Sequence, residues 1–114
     1  RKKGRKIQDI TVFVFKSNGL IAIEKRPPKG LLAGLYQFPN EMNRLLKSDV
    51  EVLFPKAAMI KELPFVKHLF THIEWNIFPY LIELDQLNSN YTWVTLDEIN
   101  KIYPIPTAFK KIKY

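Results

Sequence analysis

A chain of 114 residues with 46% hydrophobic content has the length of one domain and enough apolar side chains for a packed core. Its 18 Lys and Arg against 11 Asp and Glu leave a net charge of +7, for which a nucleic-acid partner and plain surface solvation are comparable explanations. With no cysteine, disulfides, thiolate metal sites, iron–sulfur ligation and a cysteine nucleophile are excluded, and no apolar run is long enough to span a bilayer.

The chain opens on Arg1, Lys2, Lys3, Arg5 and Lys6, so residues 1–8 read as a basic connector and residues 9–114 as the folded domain. Arg1 in place of Met, with no signal-peptide pattern, gives the expectation of a piece of a longer protein. Thr11–Phe15 and Leu20–Ile23 are β-rich runs around Ser17-Asn18-Gly19, where Asn-Gly supplies the positive φ values of a primed hairpin turn. Pro27 and Pro28 force a loop, Leu35–Phe38 reads as a short strand, and Pro39 ends it. Met42, Leu45, Leu46, Val50 and Leu53 approach helical spacing, and Ser48 with Glu51 has the form of a capping box, so a helix is expected to restart at Ser48.

From His72 onward, Ile73, Trp75 and Ile77 alternate with polar residues as in a half-buried strand, with Trp75 in the core. The apolar phase then shifts to Phe78, Tyr80, Ile82 and Leu84, which predicts a bulge or bend at Pro79. Tyr91–Val94 is another strand, and Thr95 with Glu98 is a second capping box, opening a helix that turns Leu96, Ile99 and Ile102 inward and stops at Pro104. Pro106 suits the first position of a final helix with Ala108, Phe109 and Ile112 on its apolar side and Lys110, Lys111 and Lys113 outward.

Catalytic constellations are thin. His68 and His72 have the spacing of ligands on one helix face, but the surrounding pattern is β, and no serine elbow or glycine-rich phosphate loop is present. The segment Lys25-Arg26-Pro27 to Pro39 resembles the approach to the catalytic helix of Nudix enzymes. Those enzymes need convergent glutamates for divalent cations. Between Asn40 and Ile60 this chain offers Glu41, Asp49 and Glu51, none adjacent, while the family spacing falls on Leu46, Phe54, Pro55, Ala58 and Met59.

Together with that segment, Val66 to Trp75, Tyr91 to Leu96 and Ile105 to Lys111 resemble the C-terminal domain of the A/G-specific adenine DNA glycosylases, the MutY family. The resemblance implies an α+β fold, a single domain with a Nudix-like mixed β-sheet flanked by helices, without catalytic or metal-binding residues of its own. It implies a role in base excision repair: recognition of 8-oxoguanine opposite adenine in duplex DNA, for a separate N-terminal catalytic domain that carries the glycosylase activity and a 4Fe-4S cluster. Residues 1–8 would then be an interdomain linker remnant, the parent a cytoplasmic, nucleoid-associated bacterial protein, and the domain a monomer with no membrane partner.

In that family a Phe-Ser-His loop contacts the lesion, and the matching positions here are Phe70, Thr71 and His72. Oxidation makes N7 of guanine a donor and adds an acceptor at C8, and a hydroxyl with its own backbone N–H can answer both. Phe70 is open between core aromatic, loop anchor and DNA wedge, and His72 between DNA contact and plain surface. Lys25, Arg26 and Lys29, around the proline loop, complete the DNA-binding candidates as phosphate contacts. The alternatives are a divergent Nudix hydrolase of nucleoside diphosphate derivatives and a general nucleic-acid- or protein-binding module.

Overall fold

Two long strands that run side by side in the same direction organise the sheet, although 55 residues of chain lie between them. The computed structural model describes residues 6–30, 32–103 and 105–114. The five basic-connector positions 1–5, and Pro104 as the expected helix stop, lie outside them. β1 (Lys6–Ser17) turns through Asn18 and Gly19, at φ 51° and 78°, into β2 (Leu20–Lys25), which is the primed hairpin expected from Asn-Gly. β1 starts at Lys6, so Lys6 to Gln8, assigned above to the connector, are strand paired in the sheet.

β3 (Tyr36–Gln37) pairs with β2, and β4 (Asn40–Met42) pairs with β1. The expected helical run from Met42 is therefore corrected: Met42 is a strand residue opposite Ile10, and one two-turn helix, α1 (Lys47–Leu53), follows. Its start lies ahead of Ser48. Buried Thr11 accepts the Leu45 N–H at 2.8 Å and donates to the Asn43 carbonyl at 2.8 Å, while the Tyr80 hydroxyl donates to the Leu45 carbonyl at 2.9 Å. These contacts hold the chain just before Leu46, whose N–H then donates to the Asp49 carboxylate at 2.9 Å. Leucine has no side-chain acceptor, so only this half of a capping box forms.

β5 (Met59–Glu62) and β6 (Val66–Leu69) both pair antiparallel with β7 (Ile73–Glu83), and β7 pairs parallel with β1 from Lys6–Ile73 through to Lys16–Glu83. That register is unbroken, so β7 carries no extra residue of its own at Pro79; the irregularity lies on the facing edge, where Glu62 pairs with Tyr80 but Val66 with Ile77, so three residues stand opposite Phe78 and Pro79. The apolar phase changes because different faces are covered along the strand: Trp75 and Ile77 belong to one core cluster, Tyr80 and Ile82 to the other. Pro79 is tolerated because its carbonyl accepts the Leu63 N–H at 2.9 Å, so its nitrogen also faces the break between β5 and β6, where no ladder bond is lost.

β8 (Thr92–Val94) adds to β2, giving an eight-stranded mixed sheet among the described residues, in the path β3-β2-β1-β7-β5. α2 (Leu96–Lys101) opens with the expected reciprocal box, Glu98 N–H to Thr95 Oγ1 at 3.1 Å and Thr95 N–H to the Glu98 carboxylate at 2.8 Å. Of its three expected inward residues only Ile99 is buried, because a six-residue helix presents a single turn to the sheet; Leu96 and Ile102 are exposed. α3 (Thr107–Lys110) follows Pro106, with Ala108, Phe109 and Ile112 buried. These residues and Ile99 cover the sheet face that carries Ile10, Val12, Trp75 and Ile77, and Val50 of α1 covers the opposite face with Phe13, Phe15 and Tyr80.

Candidate functional site

Residues 70–72 form the three-residue connection between β6 and β7. The Phe70 N–H donates to the Ile73 carbonyl at 2.7 Å, and the His72 carbonyl accepts the Lys6 N–H at 3.0 Å. Both ends of the loop are thus tied into main chain, one to its own hairpin and the other to β1. Thr71 stands exposed at the tip and His72 is exposed beside it. A hydroxyl on a loop pinned at both ends loses little freedom when it meets a ligand.

Phe70 points the other way. Its ring lies 4.6 Å from that of His68 and 4.9 Å from that of Trp75, both edge-to-face, so it anchors the loop to the core. Trp75, 3% exposed, extends the platform: its ring is 5.8 Å from Phe109, and its indole N–H donates to the Gln8 side chain at 3.0 Å. The loop therefore rests on residues from β1, β6, β7 and α3.

The proline loop reaches the same platform through one side chain. The Arg26 guanidinium lies 5.7 Å from the Trp75 ring centre and donates to the Gln37 side-chain Oε1, and the Gln37 Nε2 in turn donates to the Glu24 carboxylate at 2.8 Å. Burial lowers the Arg26 pKa, and the neighbouring Glu24 partly opposes this. Arg26 thus ties the segment to the platform. Lys25 and Lys29 are exposed, and the loop base is closed by the Arg26 N–H to Leu35 carbonyl bond at 2.8 Å and the Gly34 N–H to Pro27 carbonyl bond at 3.0 Å. Gly34, at φ 74°, takes the left-handed conformation that this closure needs.

The β pattern around His68 argues against a helical metal-ligand pair, and His68 does lie on a strand. Its role beneath the loop was not anticipated, although the His-x-Phe spacing, with Phe70 the first residue past β6, brings both rings to one side. Its Nδ1 is buried with no hydrogen-bond partner among the described residues. Burial, and then the positive charge of Lys111, lower the His68 pKa below 6.5. The unfolded chain therefore binds more protons than the folded one just below that value, so stability is complete above about pH 6.5 and falls as pH drops through the lowered pKa. In urea titrations from about pH 7.5 to about pH 5.5, His68→Gln should show a smaller loss of midpoint than the unsubstituted chain. Identical slopes would show that His68 protonation is not linked to folding.

Among the described residues no three of His, Cys, Asp and Glu converge as metal ligands, and Glu41, Asp49 and Glu51 are spread over β4 and α1. Nor is any helix among them long and apolar enough to cross a membrane.

Residues 11–113 match the NUDIX domain family. An adenine DNA glycosylase of Mus musculus is 30% identical over 108 residues, which cover 82% of this chain and 21% of that protein, so the chain spans about a fifth of its curated relative. The C-terminal domain of mouse MUTYH, solved in complex with human PCNA, superimposes with a TM-score of 0.72 at 22% identity over 91% of this chain and 83% of that one. The MutT protein from Methanosarcina mazei Go1 gives 0.68 at 14% identity over 96% and 92%. These solved structures share the Nudix-like fold, and together with the mouse relative they bear out the resemblance to the glycosylase C-terminal domain.

Proposed function

The chain belongs to the NUDIX domain family, and from that premise we propose that it reads 8-oxoguanine opposite adenine in duplex DNA for an A/G-specific adenine glycosylase. The observation that carries this reading is the loop itself: an exposed Thr71 on a hairpin connection pinned at both ends and anchored by Phe70 between His68 and Trp75. A fixed hydroxyl with its own N–H matches the N7 donor and C8 acceptor that distinguish the oxidised base.

Excision of adenine needs base flipping and acid–base carboxylates at the glycosidic bond, and in this proposal that work belongs to a separate catalytic domain. The 4Fe-4S cluster belongs there too, since the present chain has no cysteine to hold one. The mouse domain's complex with human PCNA adds a protein partner to the proposal.

The test is binding to matched duplexes that differ only in 8-oxoguanine or guanine opposite adenine, with the domain joined to its catalytic partner. Tighter binding to the lesion duplex is expected. Equal affinity would leave a general nucleic-acid-binding module. Metal-dependent turnover of a nucleoside diphosphate derivative by the chain alone would replace the reader with a divergent hydrolase.

A further inference from the structure

The two ends of the described chain meet at the reading loop. Parallel pairing of β1 with β7 sets Lys6 opposite Ile73, the first residue after the loop, and the Lys6 N–H holds the His72 carbonyl at 3.0 Å. From the other side, α3 packs on β6, with Phe109 buried against Trp75. Lys111 closes that helix, its N–H donating to the Thr107 carbonyl at 3.1 Å, and its charge is felt by His68 on β6. Lys6 and Lys111 are both exposed, and the ion pairs among the described residues, Lys67–Glu74 and Lys101–Asp97, involve neither.

We propose that Lys6 and Lys111 form a phosphate clamp astride the loop, gripping the nucleic-acid backbone on either side of the base presented to Thr71. The proposal rests on the lesion-reading function and extends it with residues from opposite ends of the sequence. An anionic partner follows from two exposed cations with no ion pair among the described residues, one beside the tip of hydroxyl and imidazole and one on the helix packed against β6. A duplex fits better than a membrane surface, because the Phe70 ring is packed inward and the tip itself presents the polar Thr71 and His72, with Leu69 and Ile7 the exposed apolar side chains beside it. Phosphate contacts position without reading sequence, so the clamp supplies affinity while the loop supplies discrimination.

The experiment measures affinity for 8-oxoguanine and guanine duplexes over a range of salt concentrations, for the unsubstituted domain, Lys6→Gln/Lys111→Gln and Lys101→Gln, each joined to the catalytic partner, after matched thermal unfolding shows that all three are folded. The double variant should lose about 0.9 of the log–log salt slope per lysine on both duplexes, with the ratio between duplexes unchanged. Lys101→Gln, whose lysine is paired with Asp97, should keep the full slope. An unchanged slope in the double variant, with binding intact, overturns the clamp and leaves the lesion reader standing. Failure of the unsubstituted domain, joined to its catalytic partner, to bind either duplex even at low salt overturns both. Loss of binding by the double variant on phosphatidylserine vesicles, with duplex binding unaltered, overturns the clamp in favour of a membrane surface.

Discussion

Thr71→Ala should reduce the preference for an 8-oxoguanine duplex over its guanine counterpart by ~1 to 3 kcal/mol, the worth of a good base contact, while leaving stability almost unchanged. The two halves of this prediction have separate grounds. Discrimination falls because the hydroxyl sits on a loop fixed by the Phe70 and His72 main-chain bonds, and its removal leaves one lesion group unanswered. Stability holds because Thr71 is exposed and its side chain makes no hydrogen bond among the described residues. Thr71→Ser, which keeps the hydroxyl and drops the methyl, should retain the preference. Competition binding with the two duplexes, alongside urea unfolding, measures both quantities. A folded Thr71→Ala protein with the full preference would move lesion reading to another residue.

The largest loss of stability is expected at Trp75. Trp75→Ala should cost ~3 to 5 kcal/mol, because the indole is 3% exposed and its deletion leaves a void between Phe70 and Phe109 as well as an unpartnered Gln8 amide. The same change removes the surface on which Phe70 rests, so lesion preference should fall even though Trp75 itself is buried. Trp75→Phe should recover much of both, since a ring still fills the space. Equilibrium denaturation decides the first claim, and a loss under about 1 kcal/mol would show that the platform is not the buried unit described here. Duplex binding decides the second.

His68 illustrates how far a local pattern can be read. Its strand setting was legible from the alternation around it, and its spacing to Phe70 carried the information that two rings share a face. Its electrostatic neighbour Lys111, 43 residues away, was not legible, because nothing local reports that α3 packs on β6. Arg26 shows the same limit. As part of a basic triplet it reads as a phosphate contact, but packing turns it toward Gln37 and Trp75.

Local chemistry was sufficient wherever a turn or cap satisfies its own backbone groups. Asn18-Gly19, the Thr95–Glu98 box and Pro106 before α3 were all readable because their hydrogen bonds or fixed φ values involve near neighbours. The start of α1 was not, since Thr11 and Tyr80 hold Leu45 from distant strands and override the Ser48 signal. The phase change at Pro79 has a related cause: periodicity reports which side chains are covered, and only the tertiary structure shows that α2 and α3 cover one face of the sheet while α1 covers the other.

By itself the sequence determined a cysteine-free basic domain of mixed α and β structure, the β1–β2 hairpin, and a Phe70-Thr71-His72 break in a strand region, since each is a matter of composition or short-range geometry. Tertiary structure alone decided that β1 lies parallel to β7, which sets Lys6 beside the loop, and that α3 packs on β6. Parallel pairing is a long-range contact, set by which apolar faces can be buried together, and no local pattern encodes it.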